Sequence, residues 1–262
     1  MQLKLCTWNI NSVRLRAPIV ERVLREEAPD VLCLQETKSP VEKLPTEVFA
    51  AAGYTTQIAR GEKNYNGVMI LARIPLESLG HREFCGKTDT RHVAAKTRNG
   101  TVIHNFYVPS GGDEPDPSTN AKFDHKLRFL AEMRDWWQAE KPARAILVGD
   151  LNIAPREDDV WSHKQLLKVV SHTPVEVAAL TEMQEAGGFV DITRAHVPEG
   201  RLYSWWSYRS PNWDTSDKGR RLDHIWATPE LAANASDSAV LRAARGWEKP
   251  SDHAPVFATF ED

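Results

Sequence analysis

Runs of β-branched, aromatic and aliphatic residues recur along the chain, each closed off by Gly, Pro, Asn or Asp. This pattern predicts strands near Leu3–Asn9, Val31–Thr37, Val68–Ala72, Val93–Thr97, Thr101–Pro109, Ala145–Ile153, Ser204–Arg209, Leu222–Ala227 and Val256–Phe260. Arg98-Asn99-Gly100-Thr101 reads as a hairpin turn, because Asn-Gly tolerates positive φ. A helical period takes over at Pro18–Glu27, where Ile19, Val20, Val23 and Leu24 share a face and Pro18 suits a first turn. Longer amphipathic helices are predicted at Phe123–Glu140 and at Val175–Ala186, the latter stopped by Gly187-Gly188, with a short one around Leu166. Helices and hairpin-spaced strands alternate without a linker or repeat. The expectation is one α/β domain over residues 1–262 with a mixed sheet, and Ser110–Ser118 as its loosest loop.

Composition narrows the class. At 262 residues with 41% hydrophobic and 26% charged content, the chain can bury a core without disulfides or metal staples. No apolar run approaches the ~20 residues of a membrane span, and the first residues lack a secretory apolar stretch. Cys6, Cys33 and Cys85 cannot pair completely and form no CxxC motif, so a reducing, cytoplasmic setting is expected. Cys6 and Cys33 read as small core residues. The net charge of −3 is unevenly spread. Between Arg194 and Arg221, six cations (Arg194, Arg201, Arg209, Lys218, Arg220, Arg221) face three acids (Glu199, Asp214, Asp217), a local balance of +3. Tyr203, Trp205, Trp206, Tyr208 and Trp213 are interleaved with them. Such a stretch suits either a nucleic-acid strand or a solvated face over an aromatic cluster.

Polar residues gather at strand ends, where α/β folds assemble sites. Thr7–Asn11, Gln35–Lys38, Gly149–Asn152, Arg221–His224 and Ser251–Pro255 supply Glu36, Asp150, Asp223, Asp252, His253, Asn9 and Asn152. This oxygen-rich set without cysteine fits Mg²⁺, or Mn²⁺, better than zinc. In the predicted strand Thr101–Pro109, alternation sets Asn105 and Tyr107 on one face and His104, Phe106 and Val108 on the other, so His104 is read as packed rather than catalytic.

Four segments also carry a resemblance: Pro29–Lys38 (PDVLCLQETK), Gly149–Pro155 (GDLNIAP), Tyr203–Tyr208 (YSWWSY) and Lys249–Pro255 (KPSDHAP). In this order they resemble the signature segments of the exonuclease III family of apurinic/apyrimidinic endonucleases, and the likeness runs along essentially the whole chain. The resemblance implies a four-layered α/β sandwich, two packed mixed β-sheets flanked by helices, as in deoxyribonuclease I. It also implies a Mg²⁺-dependent hydrolase acting as a monomer on double-stranded DNA with abasic sites or blocked 3′ ends, with no membrane partner. Incision 5′ to the abasic site is the expected reaction, and 3′-end trimming and 3′→5′ exonuclease action would use the same site.

By the same resemblance, Glu36 is the main metal ligand, with Asn9 and Asp252 contributing. Asp150 orients or deprotonates the attacking water, helped by Asn152; His253, held by Asp223, contacts the phosphate, as does Tyr107. Arg91 and Asn66 match DNA-contact positions, although a solvated charge and a plain turn explain them equally well. Trp205, Trp206, Arg220 and Leu222 are expected near the flipped sugar. Departures from the pattern are Asp217 in place of a common Asn, removing an amide donor near the phosphate or Asp–His contact, Ile192-Thr193 within Asp191–Arg194, and Arg220 in an otherwise apolar sugar pocket. With arginine there, either the pocket is more open or the guanidinium lies in solvent over DNA. Two rivals share parts of the pattern: a superfamily phosphoesterase acting on lipid or inositol phosphates, and a DNA-binding protein without turnover.

Overall fold

The computed structural model describes residues 2–261, so both ends of the expected 1–262 domain lie outside the described residues. In chain order the strands are β1 (Gln2–Asn9), β2 (Val31–Gln35), β3 (Thr56–Glu62), β4 (Tyr65–Ala72), β5 (Glu77–Gly80), β6 (His92–Lys96) and β7 (Val102–Tyr107). They continue with β8 (Ala145–Asp150), β9 (Val190–Asp191), β10 (Trp205–Trp206), β11 (Gly219–Arg220), β12 (Asp223–Ala227), β13 (Ala235–Val240) and β14 (Val256–Glu261). One six-stranded sheet has the order β13-β14-β1-β2-β4-β3 and the other β5-β6-β7-β8-β12-β9, with β10-β11 a separate ribbon. Both sheets are mixed: β1–β2 and β7–β8 are parallel, their neighbours antiparallel.

Strand alternation sorts the central residues into layers. Leu3, Leu5, Val31, Cys33, Val68 and Ile70 meet Val93, Ile103, Ile146, Val148 and Ile225 between the sheets. The opposite faces carry Cys6, Trp8, Leu32, Leu34 and Met69 under the helix Val13–Glu26. On the other side Phe106, Val108 and Leu147 lie under the helices Ala121–Glu140 and Pro174–Ala186. Central strands are therefore apolar on both faces, because helices cover the faces that do not meet the other sheet. The four-layered sandwich expected from the resemblance is the architecture found.

The inward rows do not stay apolar. Leu3-Leu5 gives way to Thr7-Asn9, Val31-Cys33 to Gln35, Ile103 to Asn105 and Tyr107, and Ile146-Val148 to Asp150, all of them buried. Gln35 Nε2 donates to Thr7 Oγ1 (2.9 Å) and to Asn105 Oδ1 (2.7 Å), and Asn105 Nδ2 donates to the carbonyls of Leu34 and Met69. One end of the inter-sheet core is thus a hydrogen-bonded polar layer.

Several expectations change. The first helix spans Val13–Glu26 with Pro18 inside it rather than in its first turn. Its start is set by the loop after β2, since the amides of Ser12 and Val13 donate to the carbonyls of Glu36 and Thr37. The strand expected at Ser204–Arg209 shrinks to Trp205–Trp206. Strands β3, β5 and β13, not anticipated, are edges with half-exposed or polar faces, which carry little alternation. The hairpin at Asn99-Gly100 joins β6 to β7 as expected, with Gly100 at φ 84°.

The basic stretch is also reapportioned. Arg194 and Arg221 point inward and share Asp159, which is fully buried; Arg221 also pairs with Asp191 at 2.8 Å. Burial alone would raise the Asp159 carboxyl, but the two guanidiniums outweigh it and hold it below the usual range. Arg201, Arg209 and Lys218 remain exposed. Replacing Asp159 by Ala should cost about 3–5 kcal/mol, read by urea unfolding at neutral pH, because two desolvated cations lose their shared partner. In the wild type this contribution is present above the ordinary carboxylate pKa of 3.8 and should fade as pH falls through the depressed folded value.

Candidate active site

The polar end of the inter-sheet core opens into a cleft of about 830 Å³. Glu36, Tyr107, Asp150, Asn152, Trp205, Arg220, Leu222, Asp252 and His253 all line it. These residues come from the ends of β2, β7 and β8, from the ribbon, and from the loops before β12 and β14. Their backbone turns are tight. Glu36, Lys38 and Asn152 have φ of 51°, 49° and 55°, a region that costs non-glycine residues and recurs where a side chain must be aimed. Gly67 makes the first turn feasible: a Cβ there would lie 2.1 Å from Thr37 Oγ1, and its φ is 92°. Gly149 does the same beneath Asp150, where a Cβ would meet the Phe106 carbonyl at 1.9 Å.

One half of the site is a buried charge network. Asp150 and Asp223 are register partners across β8 and β12. His253 Nδ1 lies 2.8 Å from Asp223 Oδ2, which also accepts from Ser204 Oγ at 2.6 Å. Nε2 of the same ring is 3.8 Å from Asp150 Oδ2. Burial would push the imidazole down, yet Asp223 and Asp150 overcome it and raise it to about 10. Burial raises Asp150 to about 7, with His253 pulling it down and Asp223 pushing it up. Asn152 N and Asn9 Nδ2 donate to Asp150 at 2.9 and 2.8 Å.

The other half is built round Glu36. Its Oε1 accepts from Tyr107 OH (2.7 Å) and Asn9 Nδ2 (3.0 Å), while Lys38 Nζ lies 2.6 Å from Oε2. Burial would raise this carboxyl, but Lys38, Asn9 and Tyr107 together lower it. Lys38 also donates to Asn11 Oδ1, and Asn11 Nδ2 donates to Asp252 Oδ1 at 3.0 Å. Asp252 Oδ2 accepts from Trp205 Nε1 at 3.0 Å. The ammonium of Lys38 thus stands between the Glu36 carboxylate and the Asn11 amide oxygen, with Asp252 joined to it through Asn11, and these are hard oxygen donors of the kind a divalent cation takes.

Asp150, Asp223 and His253 also bring one ligand-type atom each within 4.8 Å of one another. There Nδ1 is committed to Asp223 and the ring is held protonated, so the imidazole has no free lone pair.

Three residues expected at the substrate, Trp206, Asn66 and Arg91, do not line this cleft. Trp206 is buried against Tyr203 and Trp213, donates to Asp217, and does not line the cleft. Asn66 is buried, its amide donating to Glu62 and to the Asp89 carbonyl. Arg91 is neither solvated nor in the cleft; it donates to Asp89 and the Tyr107 carbonyl and stacks on the Tyr107 ring. Asp217 holds Trp206 and Arg242 and leaves the Asp223–His253 bond intact. His104 is packed against Trp137 and bonded to His92, as alternation suggested.

A second set of residues went unread in the sequence. Lys126 and Glu176, both fully buried, form an ion pair, and Lys126 Nζ donates to the carbonyls of Asn152 and Ser110. Glu176 accepts from the amides of Ser171 and Thr173. The helix layer thereby holds three cleft-lining segments. The signal available was two charges inside otherwise apolar helical stripes.

Comparisons with known proteins find relatives along the whole chain. Residues 6–253 fit the model of the Endonuclease/Exonuclease/phosphatase family. Exodeoxyribonuclease III of Haemophilus influenzae is 30% identical over 276 aligned positions, covering 99% of this chain and 100% of that protein. An AP endonuclease from Archaeoglobus fulgidus superposes with a TM-score of 0.93 at 35% identity, covering 99% of this chain and 100% of the other. A 3′ phosphatase from Neisseria, NExo, bound to a product DNA hairpin, gives 0.91 at 30% identity with the same coverage.

Replacing Asp223 by Asn tests the charge network directly. His253 of the wild type should stay protonated to about pH 10 in an imidazole NMR titration, whereas the variant ring should titrate well below that. Because the folded value is raised above 6.5, the stability His253 contributes is complete below about pH 6.5 and lost as pH climbs towards 10.

Proposed function

Since the chain belongs to the endonuclease/exonuclease/phosphatase family, we propose that it is a Mg²⁺-dependent DNA repair phosphodiesterase that incises 5′ to abasic sites and processes blocked 3′ ends. The observation that carries this reading is a single cleft lined by Glu36, Asp252, Asp150 and His253 together with Trp205, Arg220 and Leu222. The site is complete within one chain, which supports action as a monomer. Among the described residues no helix is long and apolar enough to cross a membrane. The exposed Arg209 and Lys218 beside the cleft suit a phosphate backbone.

Glu36, with Asp252 and Asn9 contributing, would hold the cation, displacing the Lys38 ammonium from Glu36. Bound there, Mg²⁺ would neutralise phosphate charge and stabilise the leaving 3′-oxygen. Asp150, once ionised, accepts a proton from the attacking water, and the two amide donors from Asn152 and Asn9 fix the direction of its lone pairs. The imidazolium of His253, oriented by Asp223, donates to a non-bridging phosphate oxygen. Tyr107 OH, already on Glu36, keeps that carboxylate turned into the cleft.

Asp150→Asn should keep DNA affinity while turnover falls by about 10²–10⁴; equal loss of binding would instead indicate a folding defect. A labelled duplex with an abasic site and another with a 3′-phosphate should both be cut with Mg²⁺ and neither with chelator. The rate should rise as pH passes through about 7, where Asp150 ionises, and fall towards 10, where His253 loses its proton. An inositol phosphate turned over in preference to DNA would sink the assignment.

A further inference from the structure

Arg220 sits in the cleft wall as a pinned cation. It is the register partner of Trp205 across the ribbon, and Trp205 in turn bridges His253. Directly opposed residues share a face of such a ribbon, so Arg220 lies two strand spacings, about 10 Å of backbone, from the catalytic imidazole. Its Nη1 donates to the Val170 carbonyl (3.0 Å) and to Ser171 Oγ (2.7 Å), and its guanidinium lies 5.2 Å over the Trp205 ring. The guanidinium is therefore not free in solvent, contrary to one sequence expectation. Its Nε is shielded from solvent and has no partner. A desolvated donor without an acceptor is costly in a resting protein, and the side-on edge of a guanidinium is the fork that fits phosphate oxygens.

We propose that Arg220 makes this cleft select 3′-terminal phosphomonoesters over abasic sugars. The inference rests on the nuclease reading above and deepens it. An internal phosphodiester carries one negative charge and an abasic deoxyribose none, whereas a terminal phosphate takes a second charge with a pKa near ~6. In that reaction water oxygen bonds to phosphorus, the P–O3′ bond breaks, and inorganic phosphate leaves behind a 3′-hydroxyl. The additional charge of the monoester lies on the side of phosphorus away from the leaving 3′-oxygen, where an abasic sugar would otherwise extend. A fixed cation in the wall rewards that charge, which a neutral sugar lacks.

The test compares kcat/KM for a nicked duplex ending in a 3′-phosphate with that for a duplex holding an internal abasic analogue, in wild type, Arg220→Leu and Arg220→Lys, with Mg²⁺. The ratio of the two should fall about tenfold or more in the leucine variant, and less in the lysine variant, which keeps the charge without the fork. In the wild type the ratio should also rise with pH through about 6 as the monoester takes its second charge, and this rise should vanish in the leucine variant. A ratio unchanged in both variants, or one that increases, overturns the role of Arg220 and leaves the nuclease reading standing. Wild-type protein that cuts neither duplex with Mg²⁺ or Mn²⁺ overturns both.

Discussion

Asp150 and Asp223 face one another across adjacent antiparallel strands, both closed off from solvent. Like charges at directly opposed positions repel, and in a buried setting the repulsion is poorly screened. His253 relieves it by sitting against both, and its proton is retained because two carboxylates need it. The consequence is functional as well as structural. A ring held as imidazolium can donate to an anionic oxygen, and a carboxylate raised towards neutrality is poised to exchange a proton near physiological pH. Ser204 and Ser251 complete the arrangement, one donating to Asp223 and the other tying the His253 loop to the end of β1 through the Asn9 carbonyl.

The position of this network follows from how the sheets are filled. Between them the inward rows are aliphatic for most of their length and become amides, hydroxyls and carboxylates only at one end. The polar layer of Gln35, Asn105 and Thr7 forms a graded boundary between dry core and cleft, in which most donors have partners. From the helix side, Lys126 and Glu176 reach in to hold Asn152, Ser110 and Ser171. The loop that carries Asn152 is therefore held from the helix layer as well as from the sheets, which fixes the polar groups lining the cleft.

The electrostatics divide the basic residues into two populations. Arg194 and Arg221 serve the fold by neutralising Asp159 and Asp191 in the interior. Arg209, Lys218 and Arg220 face the cleft, where a polyanion would lie. Apart from these two, Arg16, Arg242 and Arg245 lie over the rings of Tyr208, Trp206 and Trp213.

Runs of β-branched, aliphatic and aromatic residues in β1, β2, β4, β7, β8, β12 and β14 made the central strands legible, and the gathering of Glu36, Asp150, Asp223, Asp252 and His253 was legible from residue type at strand ends. These features are local: an apolar run closed by Gly, Pro, Asn or Asp and a carboxylate after an aliphatic run are properties of neighbouring positions. Partner choice is not local. Whether Arg221 meets solvent or Asp159, 62 positions away, depends on which side of the ribbon it leaves. That Arg91 props the Tyr107 ring depends on β6 lying beside β7. The edge strands β3, β5 and β13 exist because a neighbour offers free backbone groups, a condition absent from their own residues. The sequence by itself determined the central strands and the polar groups at their ends; the tertiary structure alone decided which charges are spent on the fold and which remain for a ligand, because that division depends on distances between segments far apart in the chain.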